Sequence, residues 1–151
     1  MNAENEVKCL CGGTPEPLII AEMSANHHGS LECALAIVDA ASEAGAHAVK
    51  LQTYTADTMT LDLCDREFIV SDPNSLWNGL ALHDLYQEAF TPWEGHEPIM
   101  NRAKERGLVC FSTPFDDSAV EFLETLDVPA YKIASFELVD LPLIRRVAQT
   151  G

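Results

Sequence analysis

Four short apolar runs in this sequence end in side chains that can carry charge or form hydrogen bonds. In chain order these side chains are Glu22, Ser24 and Asn26; Lys50, Gln52 and Thr53; Ser112 and Thr113; and Lys132, Ser135 and Glu137. A buried carboxylate is costly unless it is paired, so we expect Glu22 to close its strand and face a shared pocket. A single lysine at a strand end is more often a snorkelling surface side chain. Two such lysines beside hydroxyl groups favour a phosphate or carboxylate ligand.

The apolar runs alternate with helical patterns along the chain. We predict strands over residues 18–22, 47–53, 108–113 and 129–135, and helices over residues 30–46, 91–107, 116–126 and 140–151. This alternation predicts a parallel sheet with right-handed crossovers, in which ligands bind at the carboxyl ends of the strands. Residues 1–16 are expected to be a flexible lead-in. Residues 54–90 form an insertion that carries a possible short helix, and insertions of that length are usually functional.

Local signals mark where the predicted helices begin and end. Ser30 and Asp140 are expected to cap helices, and Gly45, Gly107 and Gly151 to stop them. In the second helix, Thr91 and Glu94 predict a capping box, with Pro92 at the first helical position.

Composition restricts the classes of function. The 151 residues are 47% apolar, enough for one domain with a core, and the net charge of −15 disfavours nucleic acid and anionic membranes as partners. No apolar run approaches the length of a membrane span, and the start of the chain lacks the apolar stretch of a signal peptide. The five cysteines form no CxxC pair, which favours a reducing compartment. We therefore expect a cytoplasmic protein.

Two further residue pairs have plain structural interpretations. His27 and His28 are adjacent, but no acidic residue or cysteine stands at ligand spacing, so we do not predict them to be metal ligands. Trp77 and Trp93 are expected to be packing or lid residues.

Four motifs in this order resemble the phosphoenolpyruvate-dependent sialic acid synthase family: "IIAEMSANHHGS", "AGAHAVKLQTYT", "FSTPFD" and "VPAYKIASFE". The resemblance covers residues 18–151. Two stretches, "KLQTYTADTMTLD" and "LWNGLALHDLYQEAFTPWE", are most similar to the branch that makes pseudaminic acid. The resemblance implies an α/β fold of the (β/α)8 TIM-barrel type, of which this chain supplies about the first four units.

The resemblance also implies a reaction and a role for each polar residue. Phosphoenolpyruvate condenses with 2,4-diacetamido-2,4,6-trideoxy-L-altrose to give a nine-carbon 2-keto acid and phosphate. Glu22 matches a catalytic glutamate. Lys50, Lys132 and Ser135 match phosphoenolpyruvate-binding positions. The positions that match the sugar-binding residues are Asn26, Gln52, Thr113 and Glu137.

Other parts of the family pattern are expected outside this chain. The resemblance implies a divalent metal, Mn²⁺ or Mg²⁺, whose ligands lie in the later half of the barrel, so no metal ligand is assigned here. It also implies a homodimer in which a small antifreeze-like domain covers the partner's active site. A barrel needs about 250 residues. We therefore expect this chain to be the front half of a synthase and inactive alone.

Three alternatives remain open from the sequence. The first is a synthase of the same family that makes N-acetylneuraminate or legionaminate. The second is an aldolase in which Lys132 forms a Schiff base with a keto substrate. The third is a half-barrel that only binds or assembles, without enzymatic activity.

Overall fold

The computed structural model describes residues 17–150, so the predicted lead-in at residues 1–16 and the predicted stop at Gly151 lie outside the described residues. Three parallel strands form one sheet in the order β1 (Ile20–Glu22), β2 (Ala48–Thr53) and β3 (Val109–Pro114). Six α-helices are described: α1 (Leu31–Glu43), α2 (Ala56–Met59), α3 (Leu82–Ala89), α4 (Trp93–Glu105), α5 (Asp117–Glu124) and α6 (Leu141–Ala148). The predicted strand–helix alternation is thus confirmed for the first three strands.

The main hydrophobic core lies between the sheet and helices α1 and α4. Val49 and Leu51 of β2 point into it, as does Cys110 of β3. The helices contribute Ala34, Val38, Ile99 and Ala103, all buried. Because successive strand residues point to opposite faces, the alternate residues of β2, including Lys50 and Gln52, point away from these helices.

Several predicted helix ends are confirmed. The Ser30 hydroxyl accepts a hydrogen bond from the Cys33 N–H at 3.3 Å, and Asp140 accepts one from the Leu143 N–H at 3.0 Å. Gly45 and Gly107 follow α1 and α4 with φ of +83° and +75°, the left-handed conformation that favours glycine.

The predicted capping box of the second helix is wrong. Helix α4 begins after Pro92, which holds the N-cap position, and the cap has no side-chain hydrogen bond. The Thr91 hydroxyl is instead directed to the His27 ring, with which it forms a hydrogen bond. Pro98 lies inside α4 without breaking it.

The predicted strand over residues 129–135 is also wrong. That segment meets β3 in one isolated bridge, between Ser112 and Tyr131, and does not form a continuous ladder. Pro129 has no N–H to donate, and no described strand pairs with the far edge of the segment. A 3₁₀ helix, Phe136–Val139, follows it and leads into α6.

The insertion at residues 54–90 folds into short elements, part of which face the loop after β1. It contains α2, a 3₁₀ helix at Arg66–Phe68, and α3, which confirms the predicted short helix. Between the last two, an antiparallel bridge joins Ile69 and Ala81 and closes a hairpin. Across residues 17–150, no helix combines the length and apolarity needed to cross a membrane.

Candidate functional site

The predicted site residues of the strands lie on one face of the sheet, opposite α1 and α4. Glu22 of β1 is the register partner of Lys50 on β2, and Gln52 of β2 is the register partner of Thr113 on β3. Glu22 is the last residue of β1, Gln52 and Thr113 are each the last but one of their strands, and Lys50 is the third of the six residues of β2. The parallel register therefore brings together residues that are far apart in the sequence.

Glu22 and Lys50 form an ion pair across β1 and β2. The Lys50 side chain is only 13% exposed, whereas that of Glu22 is 42% exposed. A second contact fixes the carboxylate, because the Ser24 N–H donates to Glu22 Oε1 at 3.2 Å. The Ser24 hydroxyl also donates to Gln52 Oε1 at 3.3 Å, so the loop after β1 is tied to β2.

The backbone of Lys132 lies beside β3. Its N–H donates to the Ser112 carbonyl at 3.0 Å, which continues the pairing that begins at Tyr131. The Tyr131 hydroxyl donates to Glu124 of α5, so that side chain points to the helix side. Lys132 is exposed and forms no ion pair with any residue in 17–150.

Two polar atoms in this region are buried and have no hydrogen-bond partner among the described residues: Thr113 Oγ1 and Glu137 Oε2. Both belong to residues predicted to bind the sugar. An unsatisfied buried polar atom is costly in a folded protein, which makes it a marker of a ligand or water that completes the site.

Asn26 and Ser135 lie in the connections that flank the polar face. The Asn26 amide donates to the Met23 carbonyl at 2.9 Å, and its Oδ1 has no hydrogen-bond partner among residues 17–150. Ser135 is exposed and stands directly before the 3₁₀ helix that carries Glu137. In the loop of Asn26, Ser24 and His28 adopt positive φ of 46° and 49°, an uncommon conformation for residues with a Cβ.

A buried polar network beneath this loop was not predicted from the sequence. His27 is 1% exposed, and its Nδ1 accepts a hydrogen bond from the Gly29 N–H at 3.0 Å. Its Nε2 therefore carries the proton and donates to the Thr91 hydroxyl at 2.9 Å. Burial lowers the pKa of His27, as does the nearby His28, so the ring is neutral.

His96 forms the second part of this network. Its Nδ1 lies 3.3 Å from the Pro92 carbonyl, which can only accept, so its Nε2 accepts from the Thr53 hydroxyl at 2.9 Å. Thr53 in turn lies 2.7 Å from the Ser112 hydroxyl. Burial lowers the pKa of His96 despite the backbone hydrogen bonds that oppose the shift. These contacts join β2, β3 and α4 behind the strand ends.

No group of three or more histidine, cysteine, aspartate or glutamate side chains within residues 17–150 is placed to hold a metal ion. His27 uses both ring nitrogens in protein contacts. The described residues therefore do not fit a complete metal site by themselves.

The two tryptophans have different surroundings. Trp93 stacks on Phe122 at a ring-centroid distance of 4.7 Å, as expected for a packing residue. Trp77 is half-exposed and faces a cleft beside the loop after β1.

The fold and this site define part of a (β/α) barrel with a polar, lysine-containing end. The chain belongs to the NeuB family, whose model matches residues 37–151. It is 49% identical over 131 residues to the pseudaminic acid synthase of Campylobacter jejuni serotype O:2 and 47% identical over 134 residues to that of Helicobacter pylori. These matches cover 87% and 89% of this chain. They confirm the predicted family resemblance.

Solved structures support the partial-barrel fold. The N-acetylneuraminic acid synthetase of Leptospira borgpetersenii matches with a TM-score of 0.74 and 27% identity, over 90% of this chain and 42% of that protein. The spore coat polysaccharide biosynthesis protein SpsE of Bacillus subtilis matches with a TM-score of 0.65 and 35% identity, over 90% of this chain and 34% of that protein. The chain spans about 38% of the length of the pseudaminic acid synthases it resembles.

Proposed function

We propose that this chain forms the first part of the barrel of a pseudaminic acid synthase. The whole protein condenses phosphoenolpyruvate with 2,4-diacetamido-2,4,6-trideoxy-L-altrose and releases phosphate. The 47–49% identity to pseudaminic acid synthases supports this acceptor sugar over that of the legionaminic acid synthases, which are 30–31% identical. The observation that carries the proposal is the Glu22–Lys50 ion pair between neighbouring strands, on the face shared with Gln52 and Thr113.

Phosphoenolpyruvate is a dense anion and needs cations and hydroxyl donors. The proposal assigns two positive charges to the site, those of Lys50 and Lys132, and Ser135 adds a hydroxyl at the end of the segment that carries Lys132. Lys50 is mostly buried, so its interaction with an anion is less screened than that of a surface lysine. Because Glu22 already pairs with Lys50, a bound substrate interacts with the combined charge of these two side chains.

Glu22 is the candidate catalytic residue in this proposal. When C3 of phosphoenolpyruvate attacks the sugar aldehyde, C2 becomes electron-poor. Water then adds at C2 and phosphate leaves. A carboxylate that is half-exposed beside Lys50 can stabilise positive charge at C2 or move a proton of the attacking water.

The acceptor sugar is assigned to the neutral polar groups and to Glu137. Gln52 is held by Ser24, and Asn26 lies on the loop that carries this serine. The unsatisfied atoms Thr113 Oγ1 and Glu137 Oε2 are ready to bond with sugar hydroxyl or amide groups. The proposal includes a divalent metal, Mn²⁺ or Mg²⁺, with ligands outside residues 17–150, and the roles above do not depend on it. It also includes a cytoplasmic homodimer.

Phosphate release from phosphoenolpyruvate tests the proposal. The full-length polypeptide that contains this sequence is assayed with Mn²⁺ and either the altrose sugar or N-acetylmannosamine, beside the 151-residue chain alone. We expect release with the altrose sugar only, and none from the 151-residue chain. Release with N-acetylmannosamine only would keep the family and change the acceptor.

Release with neither sugar would refute the proposed reaction. Borohydride trapping of a keto substrate on Lys132 would then identify an aldolase. A stable oligomer without affinity for phosphoenolpyruvate, detected by size exclusion with light scattering, would instead favour a binding module.

A further inference from the structure

A cleft opens between the loop after β1 and the insertion. One wall is the loop, with Asn26 and His28, and the other is formed by Trp77 of the hairpin and by Leu85 and Glu88 of α3. The hairpin holds Trp77 in place, since the Gly79 N–H donates to the Val70 carbonyl at 2.7 Å and the Val70 N–H to the Leu80 carbonyl at 2.9 Å. The cleft is therefore bounded by two ordered segments.

The cleft lies next to the polar face of the sheet. Ser24 also lines it, and the hydroxyl of Ser24 donates to Gln52 on β2. A molecule bound at Gln52 can thus extend one substituent past Ser24 towards Trp77.

The chemistry of the walls selects the kind of substituent. Trp77 offers a half-exposed aromatic ring, and Leu85 lies in the same lining. Among the described residues, no partner is bonded to the His28 ring or the Glu88 carboxylate, and Asn26 keeps its Oδ1 free. The lining holds no lysine or arginine, so an anion such as phosphoenolpyruvate is disfavoured and a neutral group is favoured.

We infer that this cleft is the subsite for an acetamido group of the acceptor sugar. An acetamido group has one N–H donor, one carbonyl acceptor and one methyl group. Glu88 or Asn26 Oδ1 can accept from the N–H, the His28 ring can donate to the carbonyl, and Trp77 with Leu85 can pack on the methyl. This inference rests on the proposed function and adds that the insertion selects the acceptor.

Steady-state kinetics of phosphate release by the full-length polypeptide test this inference. We expect Trp77→Ala to raise KM for the altrose sugar about tenfold, the loss of one aromatic contact, while KM for phosphoenolpyruvate stays within about twofold. Leu76→Ala is the matched control, because Leu76 neighbours Trp77 in the hairpin, is 96% exposed and does not line the cleft. Its KM values should equal those of the wild type.

A binding measurement separates the subsite from any fault in folding. The alditol of the altrose sugar lacks the aldehyde and cannot react, so calorimetry reports its affinity alone. Trp77→Ala should weaken alditol binding by a similar factor, and Glu88→Gln should weaken it less. If Trp77→Ala matches Leu76→Ala in both assays, the subsite is refuted while the proposed function stands. If the wild type releases phosphate with neither acetamido sugar as acceptor, the proposed function fails and this inference fails with it.

Discussion

At the residue scale, Glu22 and Lys50 act as a unit, because they form an ion pair between neighbouring strands. The pair explains how a carboxylate is tolerated at the end of an apolar run. It also means that replacing either residue by a neutral one leaves the charge of its partner without this counter-charge.

Glu22→Gln should lower kcat for phosphate release about a hundredfold, because the amide keeps the size of the side chain but cannot take a proton or balance positive charge. The measurement is the steady-state rate at saturating concentrations of both substrates. Glu32→Gln, on the exposed first turn of α1, is the control and should leave the rate unchanged. Full turnover by Glu22→Gln would refute the assignment.

Thr113→Val should make the protein more stable and its acceptor sugar bind more weakly. Valine has the shape of threonine and removes the unsatisfied Oγ1, so we expect the free energy of unfolding to rise by about 1 kcal/mol. Urea titration measures the change. Thr53→Val is the matched comparison, since it breaks the bonds to His96 and Ser112 and should cost about 1–3 kcal/mol. An equal decrease of the free energy of unfolding in Thr113→Val and Thr53→Val would show that the Thr113 hydroxyl has a hydrogen-bond partner.

The polar strand ends could be predicted from the sequence, whereas the buried histidine network could not. Lys50 and Gln52 can be recognised because they are polar residues within the apolar pattern of a predicted strand. His27 gives no such signal, because its partner Thr91 lies 64 residues away and the pair exists only when the chain is folded. The same contact accounts for the wrong capping prediction, since it directs the Thr91 hydroxyl to His27, and Pro92 holds the N-cap position.

At the element scale, the loop after β1 is held from two sides. Ser24 connects it to β2, and His27 anchors it to the segment before α4. Asn26, a predicted sugar-binding residue, lies between these anchors. The helices and the first three strands follow from local patterns, but the segment at residues 129–135 shows that an apolar run becomes a strand only where partners accept its hydrogen bonds.

Thr91→Val should release this loop without unfolding the domain. The His27 Nε2–H would lose its acceptor in a buried place, at a cost of about 1–3 kcal/mol. We expect faster hydrogen exchange at the amides of residues 24–30 and a higher KM for the acceptor sugar. Thr91→Ser keeps the hydroxyl and should restore both values. Unchanged exchange in Thr91→Val would show that the anchor does not hold the loop.

At the scale of the whole molecule, the buried histidines make stability depend on pH. The pKa values of His27 and His96 are lowered in the fold, so both are neutral there, while the unfolded chain takes up protons below about pH 6.5. The unfolded state then binds more protons, and the free energy of unfolding falls as the pH decreases through that range. His83 opposes this, because its hydrogen bond to Asp57 raises its pKa and adds stability at low pH.

Urea titrations between about pH 7.5 and pH 5.5 test this sign, since most carboxylates stay ionised over that range. The free energy of unfolding should fall with the pH, and His83→Gln should make the fall steeper because it removes the opposing group. If the free energy of unfolding of His83→Gln stays constant or rises as the pH decreases, the buried rings are not held neutral.

The order β1-β2-β3 has a consequence for how the chain acquires its structure during synthesis. Each new strand pairs with the one made just before it, so the sheet can grow vectorially as the polypeptide leaves the ribosome. The pairing of β3 with β2 forms more slowly than that of β2 with β1. The chain from Ala48 to Val109 is about twice as long as that from Ile20 to Ala48, which adds about 0.6 kcal/mol to the entropic cost of bringing the strands together. The hairpin closed at Ile69 and Ala81 is local and can form first, which shortens the free chain that the nascent sheet must close.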